Sequence, residues 1–171
     1  MRNVTFAFVV LVAGVAGAQG SKSKSAAAET AAKAAIDKAD EAFNAHDAKA
    51  LGAMLDKSYF GEGPTVSAKF DTPEAMSTHL EGLLAKGGRL TREGLTVKPD
   101  EDGNSAWFIA DYVFIPKVPP GALPVHRKMR ESGVLVKHGK EWKFAMTHMS
   151  VVQPDENVQM GPPSTAAPIK R

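Results

Sequence analysis

In Trp142-Lys143-Phe144-Ala145-Met146-Thr147-His148-Met149-Ser150, strand periodicity puts Trp142, Phe144, Met146, His148 and Ser150 on one face, with Lys143, Ala145, Thr147 and Met149 on the other. The first row is bulky and apolar, so it marks the covered face. A histidine in that row, with the Ser150 hydroxyl one step along, titrates near neutrality and can take and return a proton. The plainer role for His148 is a core histidine bonded to a neighbouring carboxylate. Asp111 poses the same choice. It shares a stripe with Trp107, Ile109, Val113 and Ile115, where a carboxylate holds its proton unless it is paired; its plainer role is a carboxylate at a dimer face, or one paired with Arg127 or Arg130 on the next strand. Tyr59 and Tyr112 are the two tyrosines. Tyr59 can polarise a carbonyl, whereas Tyr112 points opposite to Asp111 on the same strand. His148, Asp111 and Tyr59 are therefore the candidate catalytic groups, and Trp107, Trp142, Phe144, Met146, Phe60 and Ser150 the candidate ligand contacts. His46 at a helix corner and His138 in a turn read as structural punctuation. His79 faces either a pocket mouth or solvent. No pair of His or acidic residues has the tight spacing of a zinc helix motif, and neither a metal nor a cofactor is expected.

The elements that must position these groups follow from periodicity and punctuation. Ala35, Ile36, Ala39, Ala42 and Phe43 recur at three-and-four spacing, which predicts an amphipathic helix over Ala26 to Ala45. Asp47 can cap a second helix carrying Leu51, Met54 and Leu55 and ending near Ser58. Tyr59 to Pro64 and Thr65 to Phe70 suggest two short strands around a turn. Thr72-Pro73-Glu74 is a helix start, with Thr72 as cap and Pro73 at the first position, and Gly87-Gly88 stops that helix after Lys86. Four strands follow, over Leu95 to Val97, Ser105 to Ile115, Met129 to Lys137 and Trp142 to Val152. The second and third are separated by the Pro-rich connection 116–124.

The chain has 171 residues, 43% of them hydrophobic and 23% charged, which suits one folded domain with appendages. Arg2, the apolar run from Phe6 to Val12 and Ala16-Gly17-Ala18 predict a signal peptide over residues 1–18 and an exported, periplasmic or secreted protein. An uncleaved segment would instead act as an anchor, although it falls short of the about 20 apolar residues a span needs. Residues 19–25 read as a flexible linker, 26–153 as the domain and 154–171 as a disordered Pro-rich tail. With no cysteine, disulfides, thiol nucleophiles and Cys-ligated zinc are excluded. A net charge of +2 with interleaved signs argues against nucleic acid, and no membrane association is expected after signal cleavage.

The stretch Ala39-Asp40-Glu41-Ala42-Phe43-Asn44-Ala45-His46-Asp47, followed by Leu51 and Leu55, resembles the opening helices of nuclear transport factor 2-like proteins. Gly133-Val134-Leu135-Val136-Lys137 and the segment from Trp142 to Ser150 are similar to the closing hairpin of their SnoaL-like branch. The resemblance implies an α+β cone in which three helices from the N-terminal half pack on a strongly curved, mostly antiparallel sheet around a conical pocket. The family includes ketosteroid isomerases, epoxide hydrolases, dehydratases and polyketide cyclases as well as binders, so fold alone does not settle function. The leading expectation is a pocket that binds a small apolar or amphipathic molecule. The alternatives are an acid–base isomerase, dehydratase or cyclase using His148 and Asp111, and a module that dimerises through the convex sheet face. A homodimer is the expected assembly.

Overall fold

A computed structural model describes residues 16–123 and 125–152, with side chains from Lys24 onward. Helix α1 runs Ala16–Asn44 and α2 Ala48–Ala53; β1 (Leu55–Glu62) and β2 (Lys69–Phe70) precede α3 (Pro73–Leu84); β3 (Gly88–Pro99), β4 (Ser105–Pro116), β5 (Arg127–His138) and β6 (Glu141–Val151) complete the chain. The strands form one curved sheet in the order β2-β1-β6-β5-β4-β3. Only the β1–β6 pairing is parallel. This is the α+β arrangement the sequence predicts. Most of the signal segment and the tail from 154 lie outside the described residues.

Three boundaries differ from expectation. Residues 19–25, read as a linker, are the first turns of α1. Elongating an existing helix costs far less than nucleating one, so the Ala-rich stretch downstream can extend upstream through Ser and Lys. The β3–β4 turn also abuts these turns, since a Cβ on Gly103 would sit 3.3 Å from that of Ala28 and 3.5 Å from the Lys24 carbonyl. Helix α2 stops at Ala53 rather than near Ser58, because the Met54 carbonyl accepts from the Phe144 N–H at 2.9 Å and the chain joins the sheet there. Strand β3 starts at Gly88, well before Leu95. Its hairpin register with β4 continues from Pro99↔Ala106 to Gly88↔Pro116, with one irregularity between Arg92 and Gly94. Sheet pairing overrides weak local propensity in both places.

Ala28, Ala32, Ala35 and Ile36 of α1 pack on Val97, Ala106, Phe108, Leu135 and Phe144 of the sheet's inner face. The small alanines let the helix lie close to the sheet. A second cluster, Leu51, Leu80 and Leu84, ties α2 to α3, with Phe43 and Met76 against it. The caps fall where the sequence puts them: the Ala50 N–H donates to Asp47 Oδ1 at 2.8 Å, and the Ala75 N–H to Thr72 Oγ1 at 3.2 Å. His46, at φ 57°, takes the left-handed position that ends α1. Asn44 then pins the helix end to β3, donating to the Leu90 carbonyl at 2.9 Å and accepting from its N–H at 2.8 Å.

The face assignment on β6 needs correction. The register with β5 runs Leu135↔Phe144 and then Val134↔Met146, leaving Ala145 as an extra residue. A bulge of this kind reverses the alternation. Trp142, Phe144 and Thr147 are buried, whereas His148 is exposed. The predicted single row therefore divides: Trp142 and Phe144 face inward, while Met146, His148 and Ser150 face outward.

Candidate functional site

The inner face of the sheet and the three helices enclose a cavity of ≈ 130 Å³, room for a small molecule rather than a lone water. Its apolar walls come from Ile36, Ala39 and Phe43 of α1, Leu51 of α2, Met76, Leu80 and Leu83 of α3, and Phe70, Leu90, Phe144 and Met149 of the strands. Asp40 enters because it occupies an apolar position of α1, four residues after Ile36 and three before Phe43. Glu131 enters by the same logic on β5, between inward-facing Met129 and Gly133, and Tyr112 continues the buried row of Phe108 and Ala110 on β4. Tyr59 and Thr147 complete the polar wall, with Glu62 and His79 at the exposed mouth. Gly61 makes room for Tyr59: a Cβ there would stand 2.2 Å from the tyrosine hydroxyl.

The polar groups are only partly satisfied by one another. The Tyr59 and Thr147 hydroxyls share a hydrogen bond of 2.7 Å. Tyr112 donates to Asp40 Oδ1 at 3.1 Å, and Arg92 stands behind Asp40, 3.3 Å from Oδ2, while also pairing with Asp37. Burial raises the Asp40 pKa, opposed by Arg92 and by the Tyr112 hydrogen bond. Burial likewise raises Tyr59 and, together with the charges of Glu131 and Asp40, raises Tyr112, so both phenols keep their protons. Glu131 is pushed up to about 7, first by burial and then by Asp40. Glu131 is half-buried and lines the cavity. Among the described residues, no hydrogen bond or ion pair engages its carboxylate. His79, its ring tilted 42° to that of Phe70 with centroids 4.7 Å apart, is shifted down by burial and by Lys86.

Of the residues singled out from sequence, Tyr59 and Phe144 line the cavity and Trp142 lies in the core beside it. His148, Asp111, Trp107, Met146, Phe60 and Ser150 stand on the outer face. His148 and Ser150 border a shallow polar depression with Glu62 and Lys69. Asp111 accepts from Arg130 Nε at 2.7 Å, the pairing that was its plainer role. The sheet therefore separates His148 and Asp111 from Tyr59, and the three do not form one site. His138 Nε2 donates to Asp56 at 2.6 Å, with Ser58 on the same carboxylate, in a structural cluster outside the cavity lining. Asp40, Tyr112, Glu131 and Thr147 were not anticipated. A polar residue within an apolar helical stripe was the signal available for Asp40. Among the described residues, no group of three His, Asp or Glu side chains is arranged to hold a metal ion.

A family model described as a SnoaL-like domain matches residues 32–154. Among solved structures, the chain is similar to an NTF2-like protein of unknown function from Pseudomonas putida (TM-score 0.64, 20% identity, covering 77% of this chain and 92% of that one). It is also similar to a protein from Novosphingobium aromaticivorans provisionally described as a scytalone dehydratase (0.65, 13%, 81% and 94%). A third is an uncharacterised Caulobacter vibrioides protein with a cystatin-like fold (0.63, 15%, 74% and 90%). At these identities the likeness is one of fold. No curated protein matches the chain significantly.

Proposed function

Given that the chain belongs to the SnoaL-like domain family, we propose that its cavity binds a small, largely apolar molecule bearing one polar group. The observation behind this reading is an apolar cavity whose polar atoms, those of Asp40, Tyr112, Glu131, Tyr59 and Thr147, converge rather than scatter. The test is ligand-observed NMR with small aromatic and alicyclic molecules against wild type and Ala39→Phe, which fills the cavity from α1. Saturation transfer to wild type that Ala39→Phe abolishes is the expected result. Transfer unchanged by the filling substitution, or absent for every compound, would overturn the reading.

A second reading, acid–base turnover of the bound molecule, is favoured by one feature: a carboxyl with its pKa near 7 shares the cavity with two protonated phenols. In that reading Glu131 is the proton carrier and Tyr59 the hydrogen-bond donor, in place of His148 and Asp111. We also propose export, on the strength of the sequence of residues 1–18, and a homodimer formed through the outer sheet face.

A further inference from the structure

We infer that the molecule held in this cavity carries a cationic nitrogen, an ammonium group on a small apolar body, seated against the carboxylate of Glu131. The inference rests on the binding reading of the cavity and names the chemistry of its occupant. The groups facing Glu131 and the space beside it are Asp40 from α1, Tyr59 and Glu62 from β1, Tyr112 from β4 and His79 from α3, with Arg92 of β3 behind Asp40. No lysine or arginine lines the cavity among the described residues. The Arg92 charge is already shared between Asp37 and Asp40, and burial disfavours the charged form of His79. An anionic ligand would therefore meet carboxylates without a free cation to offset them.

The hydrogen-bonding capacity points the same way. The Tyr112 proton is committed to Asp40, and one proton of the Tyr59–Thr147 pair is committed within that pair. The large unmet capacity is the accepting capacity of Glu131, which an ammonium group fills with charge-assisted hydrogen bonds. The rings of Tyr59, Tyr112 and Phe144 line the same cavity, and aromatic faces attract cations. A neutral alcohol of the same shape would make one hydrogen bond and leave Glu131 without its counter-ion. Burial and Asp40 hold Glu131 near 7, and a bound cation draws that value down. Affinity for an amine therefore rises as Glu131 ionises, up to the pH at which the amine itself loses its charge.

Benzylamine and benzyl alcohol have the same number of heavy atoms and separate the two ideas. Calorimetric titration of the full chain at about pH 8, where the amine is still charged and Glu131 mostly ionised, should show benzylamine binding at least about tenfold tighter. Glu131→Gln should reduce the amine to the level of the alcohol, and Asp111→Asn on the outer face should leave the preference intact. Lowering the pH to about 5.5 should weaken only the amine. If wild type binds the alcohol as well as the amine, or if the preference survives Glu131→Gln, the cationic ligand is ruled out while the binding reading stands. If neither compound binds while the NMR assay finds other ligands, the cationic ligand alone fails; if nothing binds in either assay, both fail.

Discussion

Two carboxylates shielded from bulk water, Asp56 and Glu131, are driven in opposite directions by their surroundings. Asp56, 6% exposed, accepts from the Ser58 hydroxyl and N–H and from His138, which holds it at about 2. A depressed carboxylate contributes stability that is present above its unfolded value near 3.8 and is lost as pH falls through 2. Its partner His138 is exposed to solvent, so screening leaves this contribution on the order of 1 kcal/mol. Glu131 is the reverse case: a value raised from 4.5 to about 7 costs stability as pH rises through that window, by about 3 kcal/mol once fully ionised. Urea unfolding at about pH 3, 4.5 and 8 should therefore show Asp56→Asn narrowing its gap to wild type at the acid end, where protonation of the unfolded chain has begun to remove the advantage of the ionised carboxylate. Glu131→Gln should gain on wild type between the two higher values. A Glu131→Gln difference independent of pH would contradict the raised carboxyl.

At the scale of elements, the bulge in β6 decides which side chains reach the cavity, and its partner strand accommodates it at Gly133. A Cβ on Gly133 would lie 2.5 Å from the Met146 carbonyl oxygen and 2.6 Å from the Phe108 ring. Gly133→Ala should thus cost about 1–3 kcal/mol by overpacking. Gly82→Ala, in α3 with nothing within 4 Å, should instead stabilise by about 0.5–1 kcal/mol, and chemical denaturation of the pair gives the contrast directly. The same bulge explains what the sequence could and could not reveal. The α1 stripe, the Asp47 and Thr72 caps and the β4–β6 hairpins were legible because each rests on local periodicity or capping chemistry. The face of His148 was not, because a strict period of two through Trp142 to Ser150 has no mark at Ala145 where it breaks. Asp40 was legible in principle, as a polar residue standing on the apolar stripe of α1. Glu131 needed the inner face of β5 to be known first, and that depended on sheet order.

For the molecule as a whole, the bulge that turns Thr147 inward also turns Met146 outward. The pairing registers place Phe60, Met146, Val134 and Trp107 in one line across β1, β6, β5 and β4. Phe60 is 56% exposed and Trp107 48%, so the outer face carries an apolar row beside the Asp111–Arg130 pair. A row of large apolar side chains across a sheet is costly to leave in water, and a two-fold contact between copies would cover it on both at once. Sedimentation equilibrium of residues 19–171 at tens of micromolar should report a dimer, with Trp107→Arg and Phe60→Arg each shifting the equilibrium toward monomer. Because these side chains point away from the cavity, the variants should keep the wild-type ligand response in the NMR assay. A wild-type monomer, or a dimer indifferent to both substitutions, would leave this row outside any self-association. Loss of ligand response together with the dimer would mean that pairing holds the sheet in the curvature the cavity needs, joining its two faces in one function.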